Sequence, residues 1–301
     1  MPTWLSIVIA AHLLTALAFL VDKYLLARTI PRPSAYAFYV GVLGGASILL
    51  LPFHFEFPTL AQAVLDFAAG AVFVVALLAF YTALRRGETS RVVTYIGGTT
   101  PLWTLVLAYL FLGERLGGQE LLGFGALVIG SALIVRESST RTARQRGVYA
   151  FASLAAFAFA TSYILMKAVF LEQDFIPGFV WSRIGAVIAS CAILLHRPSR
   201  VAIAAPQQRP KGWQYGLFLG GQTAGAIGFI ALQYAVSLAS PTLVNAMQGV
   251  QYAFLFLFVL VLGRRLPQLR EQLNRRVVVQ KLAAIGVIII GLALLAQASL
   301  S

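Results

Sequence analysis

The sequence predicts an all-α integral membrane protein of ten transmembrane helices, built as two five-helix repeats of inverted topology. Three observations carry this. The 301 residues are 59% hydrophobic and only 11% charged, whereas a soluble domain runs near 45–50% apolar and about 25% charged. The apolar residues fall into ten runs, most of them close to the roughly 20 residues that cross a bilayer. The second half of the chain also repeats features of the first, with charge on opposite sides. A cytosolic enzyme, a secreted domain and a disordered chain are excluded by composition.

The ten runs lie near 3–26, 35–53, 60–84, 92–112, 121–135, 148–171, 178–195, 213–236, 242–262 and 282–297. They are called the first to tenth spans below. Pro, Gly and charge mark the breaks: Pro31 and Pro33, Pro52, Arg85-Arg86-Gly87, Gly117-Gly118, the 136–146 stretch, Pro177, Pro198 to Pro210, Pro241 and Pro267. Barrel strands alternate over about ten residues, and these runs do not. Ten spans use roughly 200 residues, so no separate soluble domain fits. The first span reads as a helix rather than a cleaved leader, since its basic residues follow it. Cys191 is the single cysteine, so no disulfide forms within the chain.

The repeat is clearest in the fifth and tenth spans. Gln119, Leu121, Gly125, Gly130 and Ala132-Leu133 align with Gln280, Leu282, Gly286, Gly291 and Ala293-Leu294. Ala16 to Lys23 aligns with Ala160 to Lys167 in the first and sixth spans. The repeats are therefore 1–140 and 141–301, within one membrane domain. An odd number of helices per repeat requires opposite insertion. The loops after odd-numbered spans hold 20 of the 23 Lys and Arg, and those after even-numbered spans hold 2. Cytoplasmic loops carry the excess, so both termini are expected outside a plasma (bacterial inner) membrane. The net charge of +13 is thus topogenic. Its spread over five short loops argues against nucleic acid as a partner.

Inverted repeats in a small bundle are a transporter architecture, with the substrate near the midplane. Each half also resembles an EamA-type repeat of the drug/metabolite transporter superfamily. The residues that carry the resemblance are Lys23 and Lys167 ending the first and sixth spans, and the aromatic end of the third (Phe80 to Leu84). With them go Pro101 and an aliphatic run into Leu112-Gly-Glu-Arg-Leu116, and the Gln-x-x-Gly-x-Gly pattern of the fifth. Gly263-Arg-Arg-Leu266 departs from the Gly-Glu usual there. The resemblance implies a central cavity formed by spans 1–4 and 6–9, with the fifth and tenth peripheral. Their Gly/Ala-rich, nearly apolar sequences suit packing or a homodimer face.

The polar residues fit that cavity. Asn245, Gln248, Gln251 and Tyr252 share one face of the ninth span, and Tyr95, Thr99 and Trp103 share one face of the fourth. Gln222 lies beside Gly221-x-x-x-Gly225 in the eighth. A polar stripe at membrane depth lines a wet path or makes interhelical hydrogen bonds. Arg183 is a candidate anchor for a substrate carboxylate, or an ion-pair partner of Glu172 or Asp174. Trp181 is a further lining candidate. His12, near the middle of the first span, and Asp66, about two turns into the third, are candidates for proton coupling.

No nucleotide-binding loop, no nucleophile–base pair and no metal-ligand spacing is visible, and His12, His54 and His196 are far apart in sequence. No catalytic residue and no cofactor is therefore expected. The function read is secondary active or facilitative transport of a small polar or amphipathic metabolite, such as an exported amino acid, by alternating access. Membrane lipid is the surrounding partner. A lipid-linked substrate carrier of flippase type and a non-transporting membrane partner are the alternatives. Residues 266–277 are read as a basic amphipathic helix on the cytoplasmic surface.

Overall fold

The computed structural model describes residues 2–25, 33–87, 89–135, 147–204, 212–262 and 275–298. Among these residues every regular element is helical. The helices are α1 (Thr3–Leu25), α2 (Pro33–Leu43), α3 (Leu60–Arg86), α4 (Thr89–Leu112), α5 (Gly118–Val135) and α6 (Val148–Glu172). There follow α7 (Phe175–Ala192), α8 (Arg197–Ala204), α9 (Trp213–Leu238), α10 (Pro241–Ala246), α11 (Gln248–Leu262) and α12 (Arg275–Ala298). The amphipathic helix read over 266–277 falls mostly outside the described residues; Val277 belongs to α12.

Among the described residues eight helical stretches are long and apolar enough to cross a membrane, against the ten expected. The fifth span forms a shorter apolar helix, Gly118–Ile134, and α9 is not among the eight. Gln222, Thr223, Gln233 and repeated glycines dilute the apolar character of α9. Three spans are also less regular than their hydropathy suggests. The second changes from α-helix to a 3-10 stretch over Gly44–Phe53, which contains Pro52. The seventh ends in a 3-10 turn, Ile193–Leu195. The ninth is interrupted at Met247. Large apolar side chains such as Leu49, Phe53, Leu110, Phe111 and Leu195 are exposed. Hydrocarbon, not water, suits such a surface, so the protein is a multi-pass membrane protein.

The helices gather into two compact units. One unit contains α1, α5 and α9 to α12. Here α1 packs along α9 and α11. Gly228 of α9 makes the close approach: a Cβ there would lie 2.8 Å from Thr15 Cγ2 and 2.9 Å from the Ala11 carbonyl of α1. In the same unit α5 packs on α12. A Cβ on Gly130 would lie 2.6 Å from Ile288 Cγ1 and 3.2 Å from the Ala284 carbonyl. One on Gly291 would lie 2.8 Å from Leu127 Cγ and 3.1 Å from the Gly123 carbonyl. Under the alignment of Gln119 with Gln280, Gly130 corresponds to Gly291, Leu127 to Ile288 and Gly123 to Ala284. The two contacts are thus one contact made twice. The small-residue faces expected to serve packing or a homodimer meet each other within the chain.

The other unit contains α2 to α4 and α6 to α8. Here α6 packs on α3 and α4, and α3 on α7. A Cβ on Gly185 of α7 would lie 2.7 Å from Phe67 Cα of α3. One on Gly70 of α3 would strike the Ser182 carbonyl and the Ala186 nitrogen. This near-contact of backbones sets Asp66 and Arg183 at depth on neighbouring helices. The α3 start is fixed by a capping box, with Gln62 N–H donating to Thr59 Oγ1 (3.4 Å) and Thr59 N–H to Gln62 Oε1 (2.9 Å). Such a cap contributes about 1 kcal/mol.

Candidate functional site

In the unit built on α1 and α9 to α12, the polar face of the ninth span sits at a break in its helix. Ser240 caps α10 by accepting from the Leu243 N–H at 3.1 Å, and Pro241 opens the helix. Thr242 and Asn245 are buried in its single turn and a half. Met247 then takes φ −73°, ψ 0°, and its carbonyl accepts from Val250 N–H at 2.9 Å in a tight turn. α11 begins at the next residue, within this turn, and carries Gln248, Gln251 and Tyr252. Met247 N–H still donates to the Leu243 carbonyl at 3.3 Å, so the ladder tightens to i−3 spacing here and changes the direction of the span without opening it.

Gln251 and His12 are both buried, at 7% and 3% exposure. The Gln251 side chain stands beside the His12 ring. Among the described residues neither ring nitrogen has a hydrogen-bond partner. Two residues singled out separately in sequence therefore meet across α1 and α11. Gly249, on another face of α11, packs against Ser131 of α5. Gln248 and Tyr252 are half-buried, and Gln222 is exposed on α9.

In the other unit Arg183 is buried to 2% exposure. Its guanidinium lies over the Phe73 ring at 4.7 Å and near Phe179 at 5.7 Å. Nη2 is 3.8 Å from Met166 Sδ, and Tyr163 is an electrostatic neighbour. The ring faces attract the cation through their quadrupoles. Asp174, one of its expected partners, instead lies 3.5 Å from His54. Asp66 is buried to 1%, and its Oδ1 accepts from Gln173 Nε2 at 3.1 Å. Its Oδ2 has no hydrogen-bond partner among the described residues. Gln173 in turn lines a recess of about 370 Å³ with Glu56, Gln62, Glu172 and Asp174.

The fourth-span stripe faces α6. Tyr95 Oη and Ser153 Oγ are 2.7 Å apart, and Trp103 packs edge-on against Phe157 at 5.3 Å. Thr99 donates to the Tyr95 carbonyl at 2.6 Å. Trp181 donates its ring N–H to the Glu56 carbonyl at 2.9 Å, fixing the loop before α3. Sequence reasoning missed the Met247 turn, buried Thr242 and buried Gln233. Pro241 and Gly249 flanking a polar stripe were the available signal for the turn. One further grouping joins residues that the sequence places far apart. The donor atoms of His54, Glu56 and Asp174 all lie within 4.8 Å of one another. The loop between α2 and α3 and the corner between α6 and α7 bring together residues more than a hundred positions apart.

Residues 2–136 match the EamA-like transporter family. That segment is similar to this family, which lies within the drug/metabolite transporter superfamily. The EamA-like family is one of membrane transporters of small molecules and not a family of enzymes. A solved crystal structure is similar to this chain over 97% of its length and 96% of its own. The TM-score is 0.72 at 16% sequence identity, a likeness of fold. None of the curated proteins compared with it matches in sequence. Two residues that carried the resemblance also meet: Lys167 of α6 is in electrostatic reach of Glu114, which follows α4.

Proposed function

We propose that this EamA-like chain is a secondary carrier for a small polar or amphipathic metabolite, such as an amino acid, working by alternating access in the plasma membrane. The observation that carries the reading is the interrupted ninth span. Asn245, Gln248 and Gln251 flank a tight turn that interrupts the span, and Gln251 abuts buried His12. Uncharged amides and an imidazole give donors and acceptors without fixed charge, which suits a zwitterion or a polyol better than a lone cation. Arg183, the Tyr95–Thr99–Trp103 stripe, Gln222, Tyr252 and Trp181 are further lining candidates. His12 carries a coupling proton, with Asp66 as a second titrating site.

The inverted five-plus-five arrangement belongs to the same proposal. Its support is the paired pattern of contacts. The first span packs on the eighth and ninth, the sixth packs on the third and fourth, and the fifth and tenth meet reciprocally. The Lys/Arg bias then places both termini outside.

The test is uptake of radiolabelled amino acids and polyols into proteoliposomes. Gln251→Ala should lower the rate at least tenfold, about 1.4 kcal/mol of lost stabilisation, with a melting temperature close to the parent's. A parent protein that moves none of these solutes would refute the reading. A variant that merely unfolds would place Gln251 in packing.

A further inference from the structure

We propose that His54, Glu56 and Asp174 form a binding site for a divalent cation of zinc-like chemistry. The site would clasp the loop before α3 to the start of α7. His54 Nε2 lies 3.2 Å from Glu56 Oε1 and 3.5 Å from Asp174 Oδ2. Ligands at 2.0–2.2 Å from a tetrahedral Zn²⁺ stand about 3.3–3.5 Å apart. Two of the three donor pairs thus already stand at the spacing a single ion needs, and all three donors lie within 4.8 Å of one another. One imidazole and two carboxylates neutralise a dication and leave a fourth position for water. A nitrogen donor with only two carboxylates suits zinc better than calcium or magnesium, which take six or more oxygens.

Two features bear on how the donors are placed. Asp174 occupies the N-cap position of α7, where an aspartate ordinarily accepts from the first-turn N–H groups. Its side chain makes no capping bond and is turned to His54. Glu56 sits on a loop fixed at both ends. Trp181 holds the Glu56 carbonyl, and the Thr59–Gln62 capping box holds the entry to α3. Gln62 also donates to the Glu172 carbonyl at 2.9 Å, tying that entry to the end of α6. A bound ion would close the 54–59 loop onto the corner between α6 and α7, beside the recess lined by Glu56 and Asp174.

Tag-free protein in detergent, titrated with zinc chloride, should gain about 2–4 °C or more in melting temperature. Cobalt chloride should give visible absorption bands of a tetrahedral site. Both effects should vanish in His54→Ala, weaken in Asp174→Asn and persist in His196→Ala. The substituted side chains are solvent-accessible, so the variants keep the fold; the parent melting temperature in the absence of metal checks this. Three results would overturn the proposal: zinc stabilisation that survives His54→Ala, an equal response to calcium chloride, or no response to zinc and cobalt up to about millimolar, far above the affinity such a donor set confers. None of these readouts depends on transport, so failure here leaves the carrier proposal standing.

Discussion

The twofold contact between α5 and α12 makes a demanding prediction about four glycines. Gly130→Ala and Gly291→Ala each place a methyl 2.6–3.2 Å from atoms of the opposite helix, and two of the three nearest atoms in each case are backbone. Ordinary carbon contacts lie at 3.5–4.0 Å, so the helices must separate by roughly 0.5–1 Å. Overpacking of that size costs about 1–3 kcal/mol. Against it stands the gain of up to about 1 kcal/mol from replacing a helical glycine by alanine. The net loss is therefore up to about 2 kcal/mol. Gly125 and Gly286 are the matched controls. They are the corresponding pair one and a half turns earlier, and nothing lies within 4 Å of a Cβ at either. Gly125→Ala and Gly286→Ala should leave stability unchanged or raise it. The assay is thermal unfolding of detergent-solubilised protein, read by loss of the monodisperse peak on fluorescence-detected size exclusion. Gly130→Ala and Gly291→Ala should lower the midpoint by similar amounts, and their combination by less than the sum. If Gly291→Ala behaves like Gly286→Ala, or if the two contact glycines differ grossly from each other, the reciprocal contact is not what holds these helices.

Three further outcomes are expected. A carboxyl-terminal alkaline phosphatase fusion should be active in a bacterial host and a fluorescent-protein fusion at the same place dark, as the Lys/Arg distribution requires; the reverse would refute the topology. An imposed proton gradient should drive uptake, and His12→Gln should abolish that drive while leaving downhill exchange; indifference of the parent to the gradient removes His12 from coupling. Trp181→Phe keeps the ring but loses the bond to the Glu56 carbonyl, so it should cost about 1 kcal/mol; an unchanged melting midpoint would show that the loop is held by other contacts.

The helical class and most helix ends were legible in the sequence, because hydrocarbon demands long apolar runs and Pro, Gly and charge punctuate them. Hydropathy reports depth, however, and not backbone geometry. It could not distinguish α-helix from the 3-10 stretch over Gly44–Phe53, nor reveal the turn at Met247. The polar face of the ninth span was legible as a stripe, since Asn245, Gln248 and Gln251 recur at helical spacing. Its meeting with His12 was not, because spacing within one helix says nothing about the neighbour. Arg183 was marked by its charge alone, and its aromatic bed of Phe73 and Phe179 depends on how α3 meets α7. His54, Glu56 and Asp174 escaped notice for a similar reason: a ligand set assembled from two loops leaves no local spacing to read.

The pairing of α1 with α9 and α11 has a consequence for how the chain is made. Every helix of the unit containing α2, α3, α4, α6, α7 and α8 has been synthesised once residue 204 is added. At that moment α1, among the earliest segments inserted, still lacks both helices it packs on, and α5 lacks α12. His12 therefore enters the bilayer well before Gln251 exists to meet it. Such long separations between partners slow assembly and leave unpaired polar groups open to wrong neighbours or to quality control. A chain stopped after α8 would present one complete bundle and two orphaned helices. The burden of late synthesis thus falls on the unit that holds the candidate transport site.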